Sequence, residues 1–167
     1  MTSNLSDRFE RLPETEADRG VPGRPTRTEV LSYWKRRFGI PQSTFEGYTF
    51  WEKGAGKIWA LDYDLVGSPE IQSLGMLVLR TRQEHWKPTT DAVQRFGGSA
   101  RKNVIELGDE SAKWFFAGET VEVDWDGDWG YLVVSHEVAG QSAPLGVGLF
   151  TYGELQSMIP KGRRRDV

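Results

Sequence analysis

Three stretches of the chain combine positive charge with flat side chains or flexible backbone. Trp86 stands beside Lys87. Arg95-Phe96-Gly97-Gly98-Ser99-Ala100-Arg101-Lys102 sets three cations around an aromatic ring and two glycines. Pro160-Lys161-Gly162-Arg163-Arg164-Arg165 adds four more cations. Flat rings stack on unpaired bases, and Lys and Arg meet phosphate or 2′-hydroxyl oxygens. The candidate binding residues are therefore Trp86, Lys87, Arg95, Arg101, Lys102, Lys161, Arg163, Arg164 and Arg165. The net charge of −3 argues the other way, but it hides a sorting of charge along the chain. Arg80–Lys102 carries +4, with only Glu84 and Asp91 against six cations, and Glu106–Asp128 carries −7, with Lys113 its one cation. A polyanion responds to the local field of a face more than to the total. A solvated surface of uneven charge is the plain alternative.

No other group of residues assembles a reaction centre. The chain has no cysteine, which removes disulfides, thiolate metal sites and thiol nucleophiles. His85 and His136 have no His or Cys at zinc spacing. His136 shares strand parity with Leu132 and Val134, which suits a hydrogen-bonded residue at the edge of a core. Gly54-Ala55-Gly56-Lys57 lacks the phosphate-loop pattern, because Ile58 follows the lysine, and it reads as a hairpin turn. Asp124, Asp126 and Asp128 alternate as in a calcium loop, but Ser135 takes the place of the closing glutamate. No serine has a Gly-x-Ser-x-Gly setting. The expectation is no catalytic residue, no metal and no cofactor. Of the seven tryptophans, most are expected in a core, with Trp86 and Trp129 as loop-side exceptions.

The elements that must position these residues read as α+β. Residues 1–25 carry Pro13, Pro22 and Pro25 and no sustained apolar period, so a disordered or weakly ordered tail is expected. Leu5, Phe9 and Leu12 would also suit a short docked helix. Thr26-Arg27-Thr28-Glu29 matches a capping box, and Val30, Leu31, Trp34 and Phe38 follow on one helical face. Gly39 and Pro41 end that helix. Strands are expected near Tyr48–Trp51 and Ile58–Tyr63, with Trp51 and Trp59 paired across the hairpin. Gly67-Ser68-Pro69 is a break, which sets a small mixed unit at 26–73 and a second domain at 74–167. That second domain holds a strand over Leu74–Thr81, a short helix from Pro88-Thr89-Thr90-Asp91 to Gly97, and a strand at Val104–Leu107. A helix capped by Asp109 follows, with Ala112, Phe115 and Phe116 inside. Strands then run near Val121–Trp125, Tyr131–Val138, Leu145–Tyr152 and Leu155–Ile159.

At 167 residues and 38% apolar content, the chain can bury a real core. No window holds the roughly 18 apolar residues of a membrane helix, and no secretory leader is evident. A cytoplasmic setting without membrane partners is expected. Arginine outnumbers lysine 14 to 7 while acids exceed both together, which points to a salt-rich cytoplasm of the archaeal kind.

The order of several short motifs resembles a PUA-like RNA-binding domain. The series is Leu74–Arg80, Trp86-Lys87-Pro88-Thr89-Thr90, Asn103–Leu107, Gly130–Val134, Pro144-Leu145-Gly146-Val147-Gly148 and Pro160–Arg164. It is similar to the C-terminal PUA-like region of Sun-group RNA cytosine-C5 methyltransferases. Residues 27–63 would suit the pre-PUA unit of ribosome-biogenesis factors. The resemblance implies a small pre-PUA-like unit and a mostly antiparallel β pseudo-barrel with flanking helices that binds structured rRNA or tRNA. It does not carry over methyl transfer, which needs a cysteine thiolate that this chain lacks. An RNA-modifying enzyme or a ribosome-assembly factor is the implied partner. The family touches RNA near a glycine loop that is acidic here, Gly118-Glu119-Thr120-Val121-Glu122, and this shifts the expected site to Lys161–Arg165 and Lys87–Lys102. A protein-interaction or assembly module with no RNA contact is the alternative.

Overall fold

The computed structural model describes residues 8–62, 64–65, 67 and 75–164. Leu5, Tyr63, Ser68, Pro69, Leu74 and Arg165, which carry some of the expectations above, lie outside the described residues. The chain forms two compact units. One runs to Arg36 and resumes over Pro41–Lys87; the other joins Arg37–Ile40 to the chain from Pro88 onward. The class is α+β, as the sequence indicates, with two five-stranded sheets and three α-helices among the described residues.

The first sheet has the order β1 (Glu10–Arg11), β2 (Thr49–Glu52), β3 (Lys57–Leu61), β4 (Met76–Arg80), β5 (Lys87–Pro88). Trp51 lies opposite Trp59 in the β2–β3 register. Gly54 and Gly56 make the turn with φ of 73° and 75°, which residues with a Cβ rarely adopt. Two boundaries differ from the sequence reading. Phe9 and Leu12 are buried, and Glu10 and Arg11 pair with Glu52 and Trp51, so this part of the expected tail is an edge strand. Phe9 packs edge-to-face on Trp59 with centroids 5.3 Å apart, a contact 50 residues away in sequence that local patterning cannot show. The strand Met76–Arg80 pairs with β3, so it belongs to the first unit, and the division falls at Lys87 rather than after residue 73.

Helix α1 (Arg27–Phe38) opens on the expected capping box. The Glu29 N–H donates to Thr26 Oγ1 at 3.0 Å, and the Thr26 N–H donates to Glu29 Oε1 at 2.9 Å. Two of the helix's orphan donors are thereby satisfied. Val30 and Trp34 are fully buried one turn apart. Thr26→Ala should destabilise the first unit by about 1 kcal/mol, since the cap oxygen is lost. Urea unfolding would measure this, and an unchanged midpoint would show that the cap contributes nothing.

The second unit holds α2 (Thr90–Phe96), β6 (Val104–Leu107), α3 (Asp109–Phe116), β7 (Val121–Glu122), β8 (Gly130–Val138), β9 (Gln141–Thr151) and β10 (Glu154–Ser157). Its sheet order is β6-β8-β9-β10-β7, antiparallel except for the parallel β6–β8 pair. Ala139 and Gly140, both at positive φ, turn β8 into β9. Leu132, Val134, Phe115, Leu155 and Ile159 fill the core. Gly148 has to be small: a Cβ there would sit 2.6 Å from Leu155 Cδ1. Helix α3 begins differently from expectation. Gly108 is its N-cap, and Asp109 and Glu110 occupy the first turn, where their charge suits the helix dipole. The β7 strand is also shorter than expected, because Trp125 packs over Gly127 and donates its indole N–H to the Asp128 carbonyl at 2.9 Å.

Candidate nucleic-acid interface

The basic C-terminal run is folded back onto the second unit. Pro160 leads into a single 3₁₀ turn, Lys161–Arg163. Arg163 donates to Asp91 Oδ1 on α2 and, at 2.7 Å, to Gln94 Oε1. Gln94 is itself fixed, because its Nε2 donates to the Leu145 carbonyl at 2.8 Å. Arg164 Nε donates to the Ile159 carbonyl at 3.0 Å, and its side chain crosses Gly118, where any Cβ would overlap the guanidinium. Gly118 has φ of 90°, so glycine is required there on both counts. The arginines thus bring the C-terminal run to α2 and to the glycine loop that follows α3. The Arg163–Asp91 pair is well exposed, with side chains 43% and 55% accessible, so it holds Arg163 with no more than about 1 kcal/mol. A phosphate can compete for that guanidinium.

The helix that receives Arg163 also carries Arg95, which is exposed. Thr89 caps this helix by accepting from the Ala92 N–H at 3.1 Å. Arg101 and Lys102 are exposed, but their backbone is pinned: both N–H groups donate to the Phe38 carbonyl, at 2.8 and 3.0 Å. Asn103, at φ of 54°, donates its side-chain amide to the Arg37 carbonyl at 2.7 Å. These bonds satisfy the carbonyls that end α1, and they present the two cations from a fixed main chain.

Trp86 and Lys87 belong to the first unit. Trp86 is half-buried rather than exposed, with its ring 5.5 Å from that of Tyr33, and its carbonyl accepts from the Tyr33 hydroxyl at 3.2 Å. The two rings are tilted 41° to each other, and that of Trp86 stays partly accessible. Lys87 is half-buried too. Burial, followed by the charge of Arg80, lowers its pKa from the usual lysine value. The folded state therefore disfavours this ammonium, and stability rises as pH climbs from the lowered value toward that of free lysine.

Trp129 is exposed, as expected, at 60% accessibility. Arg37 anchors its carbonyl at 3.2 Å and that of Tyr131 at 2.6 Å, a role that nothing in the helix pattern around Arg37 signals. Trp114 and Tyr152 are further exposed rings. Tyr152 sits at φ of 48° beside Gly153 at φ of 80°, a turn that turns its ring out to solvent. His136 is the core-edge residue that its parity suggests: Nδ1 donates to the Leu107 carbonyl at 2.8 Å, and Nε2 lies 3.2 Å from Asp109 Oδ1.

Residues 102–165 match the methyltransferase RsmF PUA domain. The second unit is thus similar to a PUA domain over β6 to the C-terminal turn, which includes Arg163 and Arg164. Residues 1–75 match a family of unknown function, DUF7122. No curated protein matches the chain. No helix among the described residues is long and apolar enough to cross a membrane. On this PUA-like unit the glycine loop remains acidic through Glu119 and Glu122, both exposed, and Arg164 is the cation laid across it.

Proposed function

We propose that this chain is a non-catalytic RNA-binding module for structured rRNA or tRNA, acting in RNA modification or ribosome biogenesis. The similarity of residues 102–165 to the RsmF PUA domain carries this reading. The exposed cations Arg95, Arg101, Lys102, Lys161, Arg163 and Arg164 on the same unit support it, as does Lys87 in the first unit. Arg165 extends the run beyond the described residues. Trp86, half-buried against Tyr33, is the flat side chain beside Lys87 that this reading offers to an unpaired base. In a salt-rich cytoplasm of the archaeal kind, screened charge pairs weaken, and bidentate arginine contacts and stacking matter more. An RNA-modifying enzyme or an assembly factor is the partner this role requires.

The test is a gel-shift titration of labelled transfer and ribosomal RNA with the purified chain. Saturable binding at low salt is expected. Stable co-purification of a protein after nuclease treatment, with no RNA shift, would favour the assembly-module reading instead.

One consequence concerns Asp91, which competes with phosphate for Arg163. Asp91→Asn keeps a hydrogen-bond acceptor and removes the charge. RNA affinity should rise roughly three- to ten-fold at low ionic strength, and the gain should shrink with salt. Unchanged or weaker affinity would show that Arg163 does not meet phosphate.

A further inference from the structure

A groove of about 790 Å³ opens on the second unit between α2, α3 and the C-terminal turn. Its size falls in the range of small-molecule sites. Phe116, Leu145 and Ile159 form an apolar floor, and Phe116 is the half-buried aromatic among them. Each wall carries one cation: Arg163 on the α2 side and Lys113 on α3. The polar atoms between them are held in place. The Gln94 amide is oriented by Leu145 and Arg163, and the His136 ring by Leu107. Asp109 is the one acid in the lining.

We propose that this groove takes a single unstacked nucleotide of the bound RNA. The inference rests on the RNA-binding reading and deepens it. The floor suits a base, whose face is apolar and whose ring packs against Phe116 and the flanking aliphatic carbons. The wall cations suit its phosphate. Arg163 has a planar fork of donors and a carboxylate partner held weakly enough to exchange, and Lys113 adds a point charge. Gln94 and His136 border the groove with their polar atoms engaged by Leu145, Arg163, Leu107 and Asp109, so a base edge gains a hydrogen bond there by exchange with Arg163 or Asp109. Two wall cations, the Asp109 carboxylate and an apolar floor together match a nucleotide better than a purely apolar ligand or a bare anion.

The test uses the full chain labelled with nitrogen-15. Each of the four nucleoside monophosphates is added at millimolar concentration, with inorganic phosphate in a parallel titration. Nucleotide-dependent shifts at His136, Gln94 and Arg163 that phosphate does not reproduce are expected. Equal shifts with phosphate alone would mean an anion site only and would overturn the proposal, as would no shift at all. Separately, Phe116→Leu keeps the groove's apolar floor and removes the phenyl ring on which the base would pack. With an unchanged melting temperature, it should weaken RNA binding about ten-fold or more, the order expected for one lost base-stacking contact. RNA affinity left at wild type in this variant would overturn the groove while leaving the RNA-binding reading intact. A wild type that binds no RNA, yet shows the nucleotide-specific shifts, would overturn the functional reading and leave the groove as a nucleotide site.

Discussion

Reversing Lys161, Arg163, Arg164 and Arg165 to glutamate is expected to abolish RNA binding, with affinity falling at least about a hundred-fold at low salt. Four phosphate contacts on single-stranded RNA, at a slope of roughly 0.7 per contact, make wild-type affinity drop about fifty-fold between 50 and 200 mM salt. The variant loses those contacts and adds repulsion, so its residual binding should depend far less on salt. Arg164 also holds the Ile159 carbonyl, so part of the effect of the four-site variant can be structural. The pair Lys161→Glu and Arg163→Glu avoids that bond. Lys161 is exposed, and the Arg163 contacts to Asp91 and Gln94 on α2 are exposed ones. This double variant should keep its melting temperature to within a few degrees and still lose roughly ten-fold in affinity. Affinity retained by both variants would move the interface to Arg95, Arg101 and Lys102.

The largest effect on stability is expected at Phe115. Its side chain is fully buried in the core of the second unit, and its carbonyl accepts from the buried Ser157 hydroxyl at 2.7 Å. Phe115→Ala removes a ring that helix α3 cannot collapse to replace, at a cost of about 3–5 kcal/mol. Domains are stable by only about 5–15 kcal/mol, so the second unit becomes marginal. Its thermal midpoint should fall by more than about 10 °C, and amide protection in α3 and β10 should be lost first. RNA binding should fall with it, because Gly118 and Arg164 lie just beyond this helix. A midpoint shifted by less than a few degrees would show that α3 is not part of the cooperative core.

What the sequence shows and what it hides differ by the range of the interaction. The Thr26–Glu29 capping box, the helix start within Pro88–Asp91 and the Trp51–Trp59 pair depend on residues close in the chain or across one turn, and all three are present. The place of His136 at the core edge follows from strand parity alone. Leu5, Phe9 and Leu12 have helical spacing, and that Phe9 and Leu12 instead flank an edge strand depends on β2 and Trp59, which are remote in sequence. The strand Met76–Arg80 was legible as a strand, but its pairing with β3 was not, since a break in composition does not reveal which sheet a strand joins. The candidate site divides in the same way. Arg95, Arg101, Lys102, Lys161, Arg163 and Arg164 are exposed as residue type suggests, whereas Lys87 is half-buried. That Arg163 would reach Asp91 and Gln94, and that Trp86 would find Tyr33, are tertiary contacts without a local signature.

The central claim is direct RNA binding by the folded chain. Fluorescence anisotropy of a labelled transfer RNA, titrated with the wild-type protein at 50 and 200 mM salt, tests it most directly. Saturable binding that weakens about fifty-fold between the two salts is the predicted result, corresponding to roughly four phosphate contacts. A protein shown by its melting transition to be folded, yet silent toward both transfer and ribosomal RNA at 50 mM salt, would contradict it.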